Sequence, residues 1–202
     1  MFSGIIRETG VINSRGRNFI KVAMTVNGVK TGDSIAVNGV CLTAAEIKRN
    51  EVKFDVSDKT MALSNLPEAL KVNIERALKP SDDISGHFVT GHVDGVALLV
   101  KIEKTSGFAK YYFRVPEELL KYVAVRGAVA LNGVSLTVEN VKGNVFSVNV
   151  IPETLRRTNF AGMKKGGRVN FEADIFARYV VNYFEMKNTG VGLTKEKLEK
   201  WL

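Results

Sequence analysis

The chain repeats itself, and the repeat limits what it can fold into more than any other feature. Val129 to Thr137 (VALNGVSLT) restates Ile35 to Thr43 (IAVNGVCLT) at an offset of 94 residues, with six of nine positions identical. Val150-Ile151-Pro152-Glu153-Thr154 answers Val56-Ser57-Asp58-Lys59-Thr60 at the same offset. Arg168 to Glu172 answers Lys71 to Glu75 at 97, and Thr90-Gly91-His92-Val93 answers Ser3-Gly4-Ile5-Ile6 at 87. Blocks in one order with slowly drifting offsets describe a duplicated domain with small loop insertions, and a period this long means two domains rather than a solenoid. The expected units are residues 1–90, residues 91–174 and a tail, residues 175–202. Half of a 202-residue chain can still bury a core, with little to spare.

Each half reads as β. Asn38-Gly39 and Asn132-Gly133 stand between short apolar runs, and Asn-Gly tolerates the positive φ values of a type I′ hairpin turn. Glu51–Val56 and Gly143–Val150 alternate apolar and polar residues as half-buried strands do. Several short strands in about 90 residues predict a small antiparallel barrel in each half. Pro67 to Leu70 and Pro116 to Leu120 read as short helical turns opened by proline. The tail differs. Ile175, Tyr179 and Tyr183, with Phe176, Val180 and Phe184, recur at helical spacing after Asp174, a good N-cap. A second short helix is expected beyond Asn188, capped by Thr194, with Leu198, Trp201 and Leu202 on one side. Such short helices need tertiary or quaternary partners, which directs the first of them between subunits.

Composition narrows the function classes. Twenty-nine Lys and Arg against 21 Asp and Glu give a net charge of +8. The bases are scattered as Lys48-Arg49, Arg156-Arg157 and Lys164-Lys165, without a nucleic-acid-binding motif, and read as solvated surface. No apolar run reaches membrane-spanning length, and the N-terminus lacks a signal-peptide pattern, so a cytoplasmic protein is expected. A single cysteine, Cys41, allows neither an intrachain disulfide nor a cysteine-rich metal site. No phosphate-binding glycine loop and no nucleophile elbow is present.

What chemistry there is gathers after the Asn-Gly turns. Side chains alternate along a strand, so Val40 and Leu42 share one face and Cys41 and Thr43 the other; Val134, Leu136, Ser135 and Thr137 repeat the arrangement. Small polar groups presented twice at equivalent places suit a flat polar ligand, although a lone cysteine is more often a small buried hydrophobe. His87 and His92 lack the third ligand a metal site needs. If Phe88–Val93 is a strand, they point to opposite faces.

Taken together, Met1 to Ile5, Asn38 to Thr43, Gly86 to His92, Asn132 to Thr137, Ile151 to Leu155 and the ending Gly192 to Leu198 resemble the riboflavin synthase family over nearly the whole chain. The resemblance implies an all-β fold: two homologous six-stranded antiparallel Greek-key barrels related by a pseudo-twofold, with a C-terminal helix that assembles a homotrimer. It implies that two molecules of 6,7-dimethyl-8-ribityllumazine stack between barrels of neighbouring subunits. A four-carbon unit passes between them to give riboflavin and 5-amino-6-ribitylaminouracil. No cofactor or metal is implied, and a lumazine synthase is a conceivable associate.

Carried over by position, the N-terminal ligand site takes Gly4, Ile5, Ile6, Cys41, Leu42, Thr43, Asp55, Val56, Ser57, Asp58, Lys59 and Thr60. The C-terminal site takes Gly91, His92, Val93, Arg126, Ser135, Leu136, Thr137, Asn149, Val150, Ile151, Pro152, Glu153 and Thr154. Cys41, His92, Ser135, Thr137 and Asp174 match positions the family places near the reacting rings. Cys41 or a water suits the nucleophile and His92 with Ser135 the proton carriers, but the sequence does not assign the roles among them. Ser3 stands where threonine is commoner. Arg126 stands where some members carry lysine, and a guanidinium rarely gives up a proton. The alternative is a non-catalytic lumazine or flavin carrier of the same superfamily; such relatives tend to lose the polar groups of one half-site, whereas both halves keep theirs here.

Overall fold

Glu8–Gly16 (β1), Phe19–Ala23 (β2), Ser34–Val37 (β3), Val40–Lys48 (β4), Glu51–Asp55 (β5) and Lys71–Arg76 (β6) each turn a row of apolar side chains inward, and β3 and β6 are buried on both faces. In the computed structural model, which describes residues 1–105 and 107–188, these strands close into an antiparallel barrel in the order β1-β2-β5-β4-β3-β6. A short helix, Asp58–Leu63 (α1), follows β5. Gly95–Thr105 (β7), Phe108–Arg114 (β8), Ala128–Leu131 (β9), Val134–Lys142 (β10), Val145–Val150 (β11) and Arg168–Ala173 (β12) close a second barrel in the same order. Between them lie Glu117–Leu120 (α2), Pro152–Arg157 (α3) and a 3-10 turn at Asn159–Gly162, and Ile175–Asn188 (α4) ends the described chain.

The duplication extends to the irregularities. The β4–β5 ladder shifts register between Ala44 and Glu46, and the β10–β11 ladder between Val138 and Asn140, each bulge adding local twist that helps the barrel close. Asn38 (φ 47°) and Gly39 (78°) form the expected hairpin turn, as do Asn132 (47°) and Gly133 (77°). The two turns meet back to back: a Cβ on Gly39 would lie 2.5 Å from the amide nitrogen of Gly133. Ile20, Ile35, Phe54, Leu66 and Ile74 fill the first barrel; Leu99, Phe113, Leu131, Phe146 and Phe171 fill the second, joined by Phe160, whose carbonyl accepts from the Tyr111 hydroxyl at 3.0 Å.

The barrels are joined by polar groups as much as by apolar ones. Phe2, Ala36, Val89 and Ala130 form a small buried cluster between them. Around it six asparagines bond in a pattern that repeats across the pseudo-twofold. Asn73 Nδ2 donates to the Asn132 carbonyl (3.0 Å) and Asn170 Nδ2 to the Asn38 carbonyl (2.8 Å). The amide of Asn65 donates to Asn170 Oδ1 (2.6 Å), and that of Asn159 to Asn73 Oδ1 (2.8 Å). Asn65 Nδ2 reaches Asn132 Oδ1 and Asn159 Nδ2 reaches Asn38 Oδ1, both at 3.0 Å.

Other expectations needed correction. Phe88–Val93 is not a strand: it is an extended arm with one isolated bridge, Phe2 to Val89. Pro67–Leu70 carries one helical turn, closed by the Ala69 amide on the Asn65 carbonyl (2.9 Å). Conversely, α1 and α3 form where the sequence showed only repeat blocks. The second tail helix, with Thr194, Leu198, Trp201 and Leu202, lies outside the described residues, as does the Gly192–Leu198 ending.

Candidate functional site

On β4 and β10 the inward side chains are Val40, Leu42, Val134 and Leu136, all buried, while Cys41 and Ser135 are half-buried and Thr43 and Thr137 exposed on the outer face. Each outer face is met by an arm from the other half of the chain. The Cys41 amide donates to the Gly91 carbonyl and the Ser135 amide to the Gly4 carbonyl, both at 2.9 Å. Only glycine serves at these crossings. Gly91 (φ +81°) and Gly4 (φ +74°) take conformations that side chains disfavour, and their Cβ atoms would sit 2.5 Å and 2.6 Å from Cβ of Cys41 and Ser135.

The arms are therefore exchanged, which corrects the grouping expected from sequence. Gly4, Ile5 and Ile6 join Ser135, Leu136 and Thr137, with Ile6 buried in the core of the second barrel. Gly91, His92 and Val93 join Cys41, Leu42 and Thr43, with Val93 packed on the first barrel. The offset match was sound, but an alignment of repeats cannot say on which copy an arm lands.

The C-terminal half-site opens as two adjoining cavities. One, of about 580 Å³, is lined by Arg126, Ser135, Leu136, Thr137, Asn149, Ile151 and Thr154 among others. The other, of about 410 Å³, adds Gly4, Ile5, Ile6, Glu153 and Arg157. Pro152 starts α3 and fixes the chain direction beneath Ile151. Arg126 holds a φ of +68°, where the first barrel has Gly32 at +93°. Both residues donate their amide across the barrel end, to Val138 and Ala44. A non-glycine residue kept in this conformation at the rim of a cleft is strain that a side-chain role would explain.

The N-terminal half-site is built from the matching parts. Ser57 caps α1 by accepting from the Thr60 amide at 3.1 Å; Asp58 is engaged by Arg17 and Asn18, and Asp55 by Lys53. Lys59 is exposed. Val56 and Val150 are buried in the barrel cores, so only their backbone can face a ligand. Cys41 packs against the cluster of Phe2, Ala36, Val89 and Ala130, as a small hydrophobe would.

The two histidines divide between the half-sites. His92 is exposed on the Cys41 side, and its carbonyl accepts weakly from Arg178. His87, which the sequence offered only as a metal-ligand candidate, lies on Ser135: Nδ1 is 2.7 Å from Oγ, and Nε2 is buried without a partner among the described residues. Burial lowers the pKa of His87 below the ordinary 6.5, opposed by the charge of Asp174. Asp174 itself caps α4 by accepting from the Phe176 amide at 3.0 Å. Within one chain it is thus His87, and not His92, that lies beside Ser135. Two further residues were missed, Glu75 and Glu172, which stand at matching positions of the repeat and bind the two arms. Their identity in both halves, two residues after the equally repeated Asn73 and Asn170, was the available signal. Among the described residues no three His, Cys, Asp or Glu side chains gather as metal ligands would, and no helix is long and apolar enough to cross a membrane.

Comparison with known proteins fits this geometry. The lumazine binding domain model matches twice, at residues 3–77 and 90–174. The riboflavin synthase of Bacillus subtilis (strain 168) is 36% identical over 93% of this chain and 92% of its own length. That of Escherichia coli (strain K12) is 39% identical over 92% of each. That of Chlamydia muridarum is 40% identical over 90% of this chain and 94% of its own. Among solved structures, LumP complexed with riboflavin superposes with a TM-score of 0.79 at 27% identity, covering 86% of this chain and 99% of that one. LumP complexed with 6,7-dimethyl-8-(1'-D-ribityl) lumazine gives 0.76 at 26%. With two lumazine-binding repeats and such likeness along nearly its full length, the chain belongs to the riboflavin synthase family.

Proposed function

We propose that this chain is a riboflavin synthase, which takes two molecules of 6,7-dimethyl-8-ribityllumazine and transfers a four-carbon unit from one to the other. The products are riboflavin and 5-amino-6-ribitylaminouracil. The observation that carries the reading is the pair of equivalent half-sites, each with its strand, arm and short helix, in a chain so similar to riboflavin synthases. One lumazine would lie on Cys41–Thr43, Asp55–Thr60 and Gly91–Val93, and the other on Ser135–Thr137, Asn149–Thr154, Arg126 and Gly4–Ile6. The C7 methyl of the lumazine is acidic because the ring stabilises its carbanion. The protein's main task is then to hold two rings in register, a proximity effect worth up to about 7–11 kcal/mol. A neutral His87 hydrogen-bonded to Ser135 is suited to receive and return that proton, and Cys41 or a water is suited to add to the acceptor ring.

Within one chain each half-site is open on its outer side, and we propose a cytoplasmic homotrimer in which barrels of neighbouring subunits close over the ligand pair. A lumazine synthase is a candidate associate. Support for assembly comes from α4, where Phe176, Tyr179, Val180, Tyr183 and Phe184 are each more than half exposed. An apolar face of that size is unusual on a monomer. The LumP structures favour one rival, a carrier that binds lumazine or riboflavin without turnover. Incubating the purified protein with the lumazine alone decides between them: riboflavin should accumulate with half the lumazine consumed recovered as it, whereas binding without product would establish the carrier.

A further inference from the structure

Two buried carboxylates lie outside the ligand-facing surfaces described above. Glu75 on β6 and Glu172 on β12 are 8% and 3% exposed, and neither makes an ion pair among the described residues. Burying a charge unpaired is costly, so hydrogen bonds must hold it. Glu75 Oε1 accepts from the Ser3 amide at 2.8 Å and the Ser3 hydroxyl at 3.0 Å, and Oε2 from the Gly4 amide at 3.1 Å. Glu172 repeats this across the pseudo-twofold. Oε1 accepts from the Thr90 amide and hydroxyl, both at 2.7 Å, and Oε2 from the Gly91 amide at 3.0 Å.

The arms these carboxylates grip end on the opposite barrel. Glu75 belongs to the first barrel, but Gly4 presents its carbonyl to Ser135 of the second; Glu172 belongs to the second, but Gly91 presents its carbonyl to Cys41 of the first. Each carboxylate holds the N–H of the same glycine whose C=O meets the ligand-facing strand. A bidentate grip on two successive amides fixes the orientation of that peptide, and with it the arm residues that follow. The two arms also meet each other, through the Phe2–Val89 bridge and the His87 amide on the Ser3 carbonyl (3.2 Å). We infer that Glu75 and Glu172 are positioning residues wired crosswise: Glu75 sets the C-terminal half-site and Glu172 the N-terminal one, each from the barrel that does not carry the ligand. The ligand part of this inference rests on the function proposed above; the coupling of carboxylate, arm and strand does not.

Hydrogen exchange of the full chain tests both parts. In Glu172→Gln the neutral amide keeps an acceptor for one donor and turns an N–H toward another. Exchange at the Cys41 amide should rise about tenfold and riboflavin protection of residues 41–43 should need about tenfold more ligand, with Ser135 and residues 135–137 unchanged. Glu75→Gln should give the mirror result. Ser3→Ala, which deletes the hydroxyl bond to Glu75, and Thr90→Val, which deletes that to Glu172 together with the long His92 amide bond to the same hydroxyl (3.3 Å), should move the same amides in the same direction by less, and serve if a Glu variant fails to fold. Loosening confined to the variant's own barrel, or equal at both sites, would overturn the inference, because a merely structural carboxylate acts that way. Crossed exchange with no riboflavin protection at either site would uphold the wiring and refute the ligand reading.

Discussion

His87 and His92 share one arm yet serve different half-sites, and their chemistry follows from what surrounds them. His87 is half-buried with Nδ1 on the Ser135 hydroxyl, so burial disfavours its charged form. Its pKa is depressed in the folded state, so protons bind the unfolded chain more readily in the window just below 6.5. Stability from this group is therefore present above that value and lost as pH falls toward the lowered folded pKa. The acid limb of turnover should lie below 6.5 for the same reason. His87→Ala should lower single-turnover rate about a hundredfold while riboflavin affinity changes only a few-fold. Ser135→Ala should resemble it, and a double variant should cost little more than either. Equal loss of rate and affinity in rapid-quench and fluorescence titration would instead make His87 a packing residue. The Asn-Gly turns were readable from sequence because a turn is local chemistry, written in two adjacent residues. His87 was not, because its partner Ser135 lies 48 positions away and no local pattern joins the two.

At the scale of elements, the asparagine network explains how two barrels with matching ends stay joined. Asn73 is fully buried on β6 and bonds through both ends of its amide, to the Asn132 carbonyl and from the Asn159 amide. Asn73→Ala would leave the buried Asn132 carbonyl and the partly buried Asn159 amide without these partners, at up to roughly 1–3 kcal/mol each, so a loss of about 2–6 kcal/mol is expected in urea unfolding. Asn170→Ala should behave alike, and because the two share one network the double variant should lose less than the sum. Strands and α4 follow from patterns of period two or four. The six-residue α1 and α3 do not, since one and a half turns show no periodicity; only Ser57 and Pro152 marked their starts. α4 itself is held by Phe176 against Phe88 of the arm, by Arg178 on Asp94 (2.8 Å) and by Glu185 on Lys121 of the second barrel, while its remaining apolar face is open. Deleting residues 175–202 should dissociate the oligomer and abolish turnover. Light scattering and the lumazine assay would read this out, and an active monomer would exclude a shared site.

At the scale of the whole molecule, the exchange of arms decides what half of it can do. A fragment of residues 1–90 contains all of β1–β6 and the arm Ser3–Ile6, but it lacks both the strand that arm docks on and the Gly91–Val93 arm that covers Cys41. The repeat supplies a substitute, since Ser3–Ile6 is the counterpart of Thr90–Val93. In a twofold pair of fragments, Gly4 of one copy can present its carbonyl to the Cys41 amide of the other. The network supports the same pairing: Asn38, Asn65 and Asn73 each bond to the counterpart of one of themselves, so the surface is self-complementary. The fragment should therefore be a dimer that binds one riboflavin per chain at Cys41–Thr43. It should not make riboflavin efficiently, because it keeps His87 but has lost Ser135. Asn73→Ala should abolish the dimer and, with it, ligand binding, since Cys41 would then have no arm across it. Sedimentation and fluorescence titration of the two fragments separate the possibilities. A monomer that binds riboflavin fully would show that the exchanged arm is not part of the half-site, and a dimer with full turnover would show that Ser135 and its barrel are dispensable for the chemistry.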